Sequence, residues 1–167
     1  MRNLLRTFTM LAIALAAFCL ASGPASAAGG GNPHFNRASA SASGTDLTVT
    51  FKEVGLGSDT TVTIVLTAHW DAQFACFNHG GKHPSATNKE SFSGDASFSD
   101  QFRSDKNGNI VGSLTVSAPT VSNNDFSCPP GQNEVLTYIQ WSGISLTDTS
   151  SPAYTEVPGT FTYGSKV

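Results

Sequence analysis

The sequence predicts an all-β protein: a single β-sandwich, immunoglobulin-like, with one disulfide, behind a cleaved N-terminal signal helix. Three observations carry this. Apolar and polar residues alternate with period two in several separate runs. Clusters of Gly, Asn, Asp and Pro punctuate those runs. Outside the first 27 residues, no stretch of ten or more keeps a helical period. A closed barrel is the alternative arrangement of the same strands.

Residues 1–27 read as an export signal. Arg2 and Arg6 form a basic start, residues 8–21 an apolar run, and Gly23-Pro24 breaks that run ahead of Ala25-Ser26-Ala27. The run is shorter than the roughly 20 apolar residues a membrane-spanning helix needs. Phe18 ahead of Cys19 argues against lipid attachment there. The expectation is a secreted, extracellular protein without stable membrane insertion, remote from cytosolic ATP or nicotinamide.

Residues 28–43 form a flexible leader or an edge strand, and residues 44–167 the sandwich domain. In the run 46–54, Leu47, Val49 and Phe51 share one side while Thr48, Thr50 and Lys52 share the other, as in a half-buried strand. Residues 55–59 then make a hairpin or tight corner. Alternation is longest from Val62 through Ile64, Leu66, Ala68, Trp70, Ala72 and Phe74 to Cys76, which places Trp70 and Cys76 on one inward face. Ala96, Phe98 and Phe102 form the next inward row, and Asn107-Gly108 predicts a hairpin into residues 110–117. Residues 119–132 make a second long loop. The strand 134–146 carries a bulge at Trp141-Ser142-Gly143, where the alternation changes phase, and residues 159–163 close the sheet.

Removal of the signal leaves Cys76 and Cys128, an unambiguous pair in an oxidising compartment. It also leaves seven basic and twelve acidic residues, a net charge of −5 with His neutral. That balance argues against nucleic acid and anionic membranes as partners.

The bridge would pin the loop after Cys76 to the loop around Cys128. The candidate binding patch is therefore Asn78, His79, Lys82, His83 and Phe126. His79 and His83 are also the lesser option for a metal, with Asp71, His69 or His34 nearby, although Gly80-Gly81 between them removes the helical meaning of their spacing. Asp105, Asn107 and Asn109 resemble the start of a calcium loop but lack its closing acid. No catalytic residue and no cofactor is expected. Trp70, Phe74, Phe98, Phe102 and Trp141 are assigned to the core, whereas Phe77, Phe126 and Tyr154 stand where a ring could meet a sugar or a partner.

The run Leu47-Thr48-Val49-Thr50-Phe51-Lys52-Glu53-Val54-Gly55-Leu56-Gly57, the loop Cys76-x-Asn78-x-Gly80-Gly81-Lys82-x-Pro84, the triplet Asn88-Lys89-Glu90 and the loop Ser127-Cys128-Pro129-Pro130-Gly131-Gln132 resemble small secreted bacterial proteins of the actinobacterial type. The resemblance implies secretion, one domain and the Cys76–Cys128 pair, and it transfers no catalytic residue. The function expected is non-enzymatic: surface binding or association with the cell envelope through a glycan, peptide or protein ligand. A secreted hydrolase inhibitor is the alternative, followed by a metal-dependent or glycoside-cleaving enzyme.

Overall fold

A computed structural model describes residues 31–78, 80, 88–120 and 125–167. These form eight strands and no helix: β1 (His34–Ser43), β2 (Asp46–Val54), β3 (Thr61–Asn78), β4 (Lys89–Arg103), β5 (Ile110–Val116), β6 (Gln132–Asp148), β7 (Tyr154–Val157) and β8 (Phe161–Gly164). One sheet runs β1-β2-β5; the other runs β4-β3-β6-β7, with β8 also on β6. All pairings are antiparallel. The inner rows of the two sheets meet in one core, with Leu47, Val49 and Phe51 from β2 facing Ile64, Leu66, Ile139, Trp141 and Leu146.

The long alternation from Val62 to Cys76 is one continuous strand, paired with β4 on one side and β6 on the other. Its inner row is buried almost throughout. Trp141 is the largest fully buried side chain, and its Nε1–H donates to Thr45 O at 3.1 Å, which satisfies the indole inside the core. The predicted bulge is present. Two residues of β6, Gly143 and Ile144, oppose one residue of β3 between the pairs Thr67↔Ser145 and His69↔Ser142. Gly143 takes φ +56, a conformation that favours glycine. Residues 34–43 form a complete edge strand, and β7 was not foreseen.

The hairpin expected at Asn107-Gly108 is a correction. The turn exists, but it joins two sheets: β4 pairs with β3, and β5 pairs with β2. The reason lies in what the turn is bonded to. Ser104 N–H donates to Thr60 O, Ser104 Oγ–H to Gly57 O, and Leu56 N–H to Gly108 O, so the segment is drawn across the corner that follows β2. Gly108 lies so close to that corner that a Cβ would stand 1.8 Å from Leu56 O, at φ +73. Asp105 Oδ1 is committed here as well, accepting the N–H groups of Asn107 and Asn109. Those bonds hold its carboxyl below the usual carboxylate range.

Phe98 also departs from its expected place. It stands on the inner row of β4 but keeps 47% of its surface exposed. The three-stranded sheet reaches β4 further along, where Phe102 packs edge-on against Phe51. Gly112 makes room for that contact, since a Cβ on it would fall 2.6 Å from Phe102 and 2.9 Å from Phe51. Gly112→Ala is expected to lower unfolding free energy by about 1–3 kcal/mol through overpacking. Urea denaturation of the variant beside the parent protein checks this.

Candidate functional site

Alternation along β3 and β4 puts polar residues on the outer face of the larger sheet. His69 on β3 lies directly opposite Asp95 on β4. Its Nδ1–H donates to Asp95 Oδ1 at 2.8 Å, while Nε2 stands 3.9 Å from Asp71 Oδ2, two residues along the same face. All three side chains are open to solvent. The imidazole is thus bracketed by two carboxylates, and its Nε2 side faces Asp71 rather than a hydroxyl.

The bulge brings β6 up to this cluster, with the position of a Gly143 Cβ only 3.7 Å from His69 Cβ. A cleft of about 520 Å³ opens beyond Gly143, lined by Ser145, Tyr154, Glu156, Pro158 and Gly159 among others. Register places Ser145 opposite Glu156 and Thr147 opposite Tyr154, so these side chains share the outer face. Tyr154 keeps 57% of its surface exposed, and its hydroxyl donates to Glu156 Oε1 at 3.4 Å. The stripe therefore combines an exposed ring, three carboxylates and hydroxyl groups, with no Lys or Arg among these residues.

At one end of the same sheet the chain's last residues cross the outer face. Ser165 N–H donates to Thr137 O and Val167 N–H to Gln73 Oε1 at 2.8 Å, while the Lys166 ammonium sits 4.9 Å above the Tyr138 ring. Lys89 Nζ donates to Val167 O. The stripe from Asp95 to Tyr154 lies beyond this cover.

No family model, curated protein or solved structure matches this chain. Its site is read from its own geometry.

The disulfide Cys76–Cys128 is present, with Cα atoms 5.6 Å apart. It joins the inner row of β3 to the loop between β5 and β6. Around it, Cys76 N–H donates to Asn88 O, Gln132 N–H to Pro129 O, and Asn88 Nδ2 to Gln132 Oε1. Asn78 is exposed at the end of β3, opposite Gln132. His79, Lys82 and His83 lie outside the described residues. Phe126 is buried at 8% exposure with its ring edge-on to Phe92. It supports the bridged loop from beneath and does not offer a face to a ligand. Among the described residues, no group of three or more His, Cys, Asp and Glu side chains is arranged to hold a metal ion.

Sequence reasoning passed over a buried acid pair. Glu53 and Asp148 stand on the inner rows of β2 and β6 at 0% and 1% exposure, one from each sheet. Asp148 Oδ1 accepts Ser150 N–H, but Asp148 Oδ2 and both Glu53 oxygens have no donor. Carboxylates only accept, so two ionised groups facing each other leave these atoms unsatisfied. One proton on Glu53 allows it to donate to Asp148. Burial, the Asp148 charge and that hydrogen bond push the Glu53 carboxyl up to about 7. A cleft of about 300 Å³ adjoins, bounded by Gly55, Leu56 and Gly57 after Glu53 and by Ser150, Ser151 and Pro152 after Asp148. The signal was legible in strand parity: Glu53 continues the row Leu47, Val49, Phe51, and Asp148 continues Ile144, Leu146.

Proposed function

We propose that the chain is exported, loses residues 1–27 and works outside the cell as a non-enzymatic binding module. Its immunoglobulin-like reading is supported by strand order: β1-β2-β5 facing β4-β3-β6-β7 is the order of strands A-B-E and C′-C-F-G in such sandwiches. The bridge differs from the antibody pattern, since Cys128 lies in a loop rather than on a strand of the opposite sheet.

The ligand class is a neutral, polyhydroxylated one, a cell-envelope or extracellular glycan. The observation that carries this is the cleft beside Gly143, where the exposed Tyr154 ring adjoins Glu156 on the same outer face as the His69 cluster. A flat ring covers the apolar face of a sugar, and carboxylates accept from its hydroxyls. The acidic net charge disfavours anionic ligands.

The test is a glycan array with the disulfide-bonded protein, followed by titration calorimetry on the neutral oligosaccharides retained. Tyr154→Ala is expected to weaken binding about tenfold or more by removing the stacking surface, and Glu156→Gln less so. A protein that retains no neutral glycan, or binds one equally after Tyr154→Ala, would overturn this assignment.

A further inference from the structure

The edge of the larger sheet formed by β4 lacks most of the features that keep strand edges apart. It pairs with β3 through fifteen consecutive positions without a bulge, contains no Pro, and has its one Lys at its first residue. Bulges, prolines and mid-strand lysines are the usual means of keeping free N–H and C=O groups from pairing with another chain. β4 retains one such device, the Asp100 carboxylate on its inner row. Residues 97–101 are all exposed, inner-row positions included, so this stretch projects past the cover of the smaller sheet.

We propose that β4 is a self-association edge, on which two copies pair antiparallel about a two-fold axis at Ser99 and join their larger sheets into one. The register follows from side-chain parity and charge. A two-fold axis between two residues would set an outer row against an inner row, so it must pass through a residue. Centring it on Asp95 or Asp100 sets identical carboxylates face to face, and centring it on Ala96 sets Arg103 against Lys89, all unfavourable cross-strand pairs. Centring it on Ser99 places Arg103 of each copy opposite Asp95 of the other, and Gln101 opposite Ser97. Asp100 then faces Phe98 at the rim, and its Oδ1, which accepts the Gln101 N–H at 2.7 Å in the single chain, yields that donor to the partner strand.

Both charged groups have capacity to spare. Arg103 engages Asp59 through Nε at 3.3 Å, and Asp95 engages His69 through Oδ1. A guanidinium has four further N–H donors and a carboxylate a second oxygen. The axis stands perpendicular to the sheet, so both outer faces look the same way. The His69 stripe is thereby doubled on one surface, which would raise avidity for any repeating ligand. The dimer itself does not depend on which ligand the face takes.

Sedimentation equilibrium of the purified disulfide-bonded protein, through the micromolar range, tests this. The expected result is a two-chain mass at the upper concentrations that falls toward one chain as salt is raised. Arg103→Asp and Ser99→Lys each set like charges across the axis and are expected to weaken association about tenfold or more. Asp95→Arg combined with Arg103→Asp exchanges the charges and restores it. Circular dichroism and a free-thiol count establish that each variant keeps the fold. A single-chain mass throughout would overturn the proposal. A dimer indifferent to Ser99→Lys, or a charge exchange that fails to restore association, would overturn this edge or this register.

Discussion

Glu53→Gln is expected to abolish most of the loss of stability that the parent protein shows between about pH 5 and pH 8. Burial beside Asp148 raises the Glu53 carboxyl from 4.5 in the unfolded chain to about 7 in the fold. Below the lower value both states hold the proton. Between the two values the folded protein keeps a proton that the unfolded chain has released, so folding takes up a proton and stability declines as pH rises. Above the folded value the decline is complete. The difference amounts to about 3 kcal/mol at 1.36 kcal/mol per unit. Gln donates an N–H to Asp148 at every pH and does not titrate, so the variant should match the parent near pH 5 and exceed it near pH 8. Urea denaturation midpoints at several pH values measure this. A parent midpoint that is flat or rises with pH would show that Glu53 is ionised in the folded state.

The second large effect belongs to the bridge. Replacing both Cys76 and Cys128 by Ser opens a link between residues 52 apart in sequence. The chain-entropy model assigns such a loop about 4 kcal/mol. For a domain of this size that corresponds to a fall in Tm of roughly 10–15 °C, read by calorimetry. The double replacement avoids leaving one reactive thiol. A fall of only a few degrees would mean that the β5–β6 loop is held chiefly by the packing of Phe126 on Phe92. Adding Phe126→Ala to the double variant separates the two contributions.

Much of the fold was legible because strand parity is a local property. Successive side chains on a strand point to opposite faces, so the rows Leu47-Val49-Phe51 and Val62 to Cys76 declare their inward faces without reference to anything else. The bulge at Gly143 was legible for the same reason: a phase change in the alternation marks one residue too many. The same parity also carries Glu53 and Asp148 into the core. Polarity argued for the surface at those positions and parity for the interior, and in the folded chain parity prevailed because one proton makes the pair tolerable.

The alternation of residues by itself determined that the described residues are all-β and which side of the principal strands faces inward, while the pair Cys76–Cys128 followed from the cysteine count. Tertiary structure alone decided how the strands are divided between two sheets. Asn107-Gly108 specifies a turn, yet whether the turn closes a hairpin or crosses to the other sheet depends on Ser104 and Leu56 bonding at a corner far away in sequence. It likewise decided that Phe98 is exposed and Phe126 buried, because burial depends on where the opposite layer ends. The outer-face stripe has the same origin: Asp95, His69, Gly143 and Tyr154 come from four strands, and only the register between those strands sets the first three side by side and Tyr154 further along the same face.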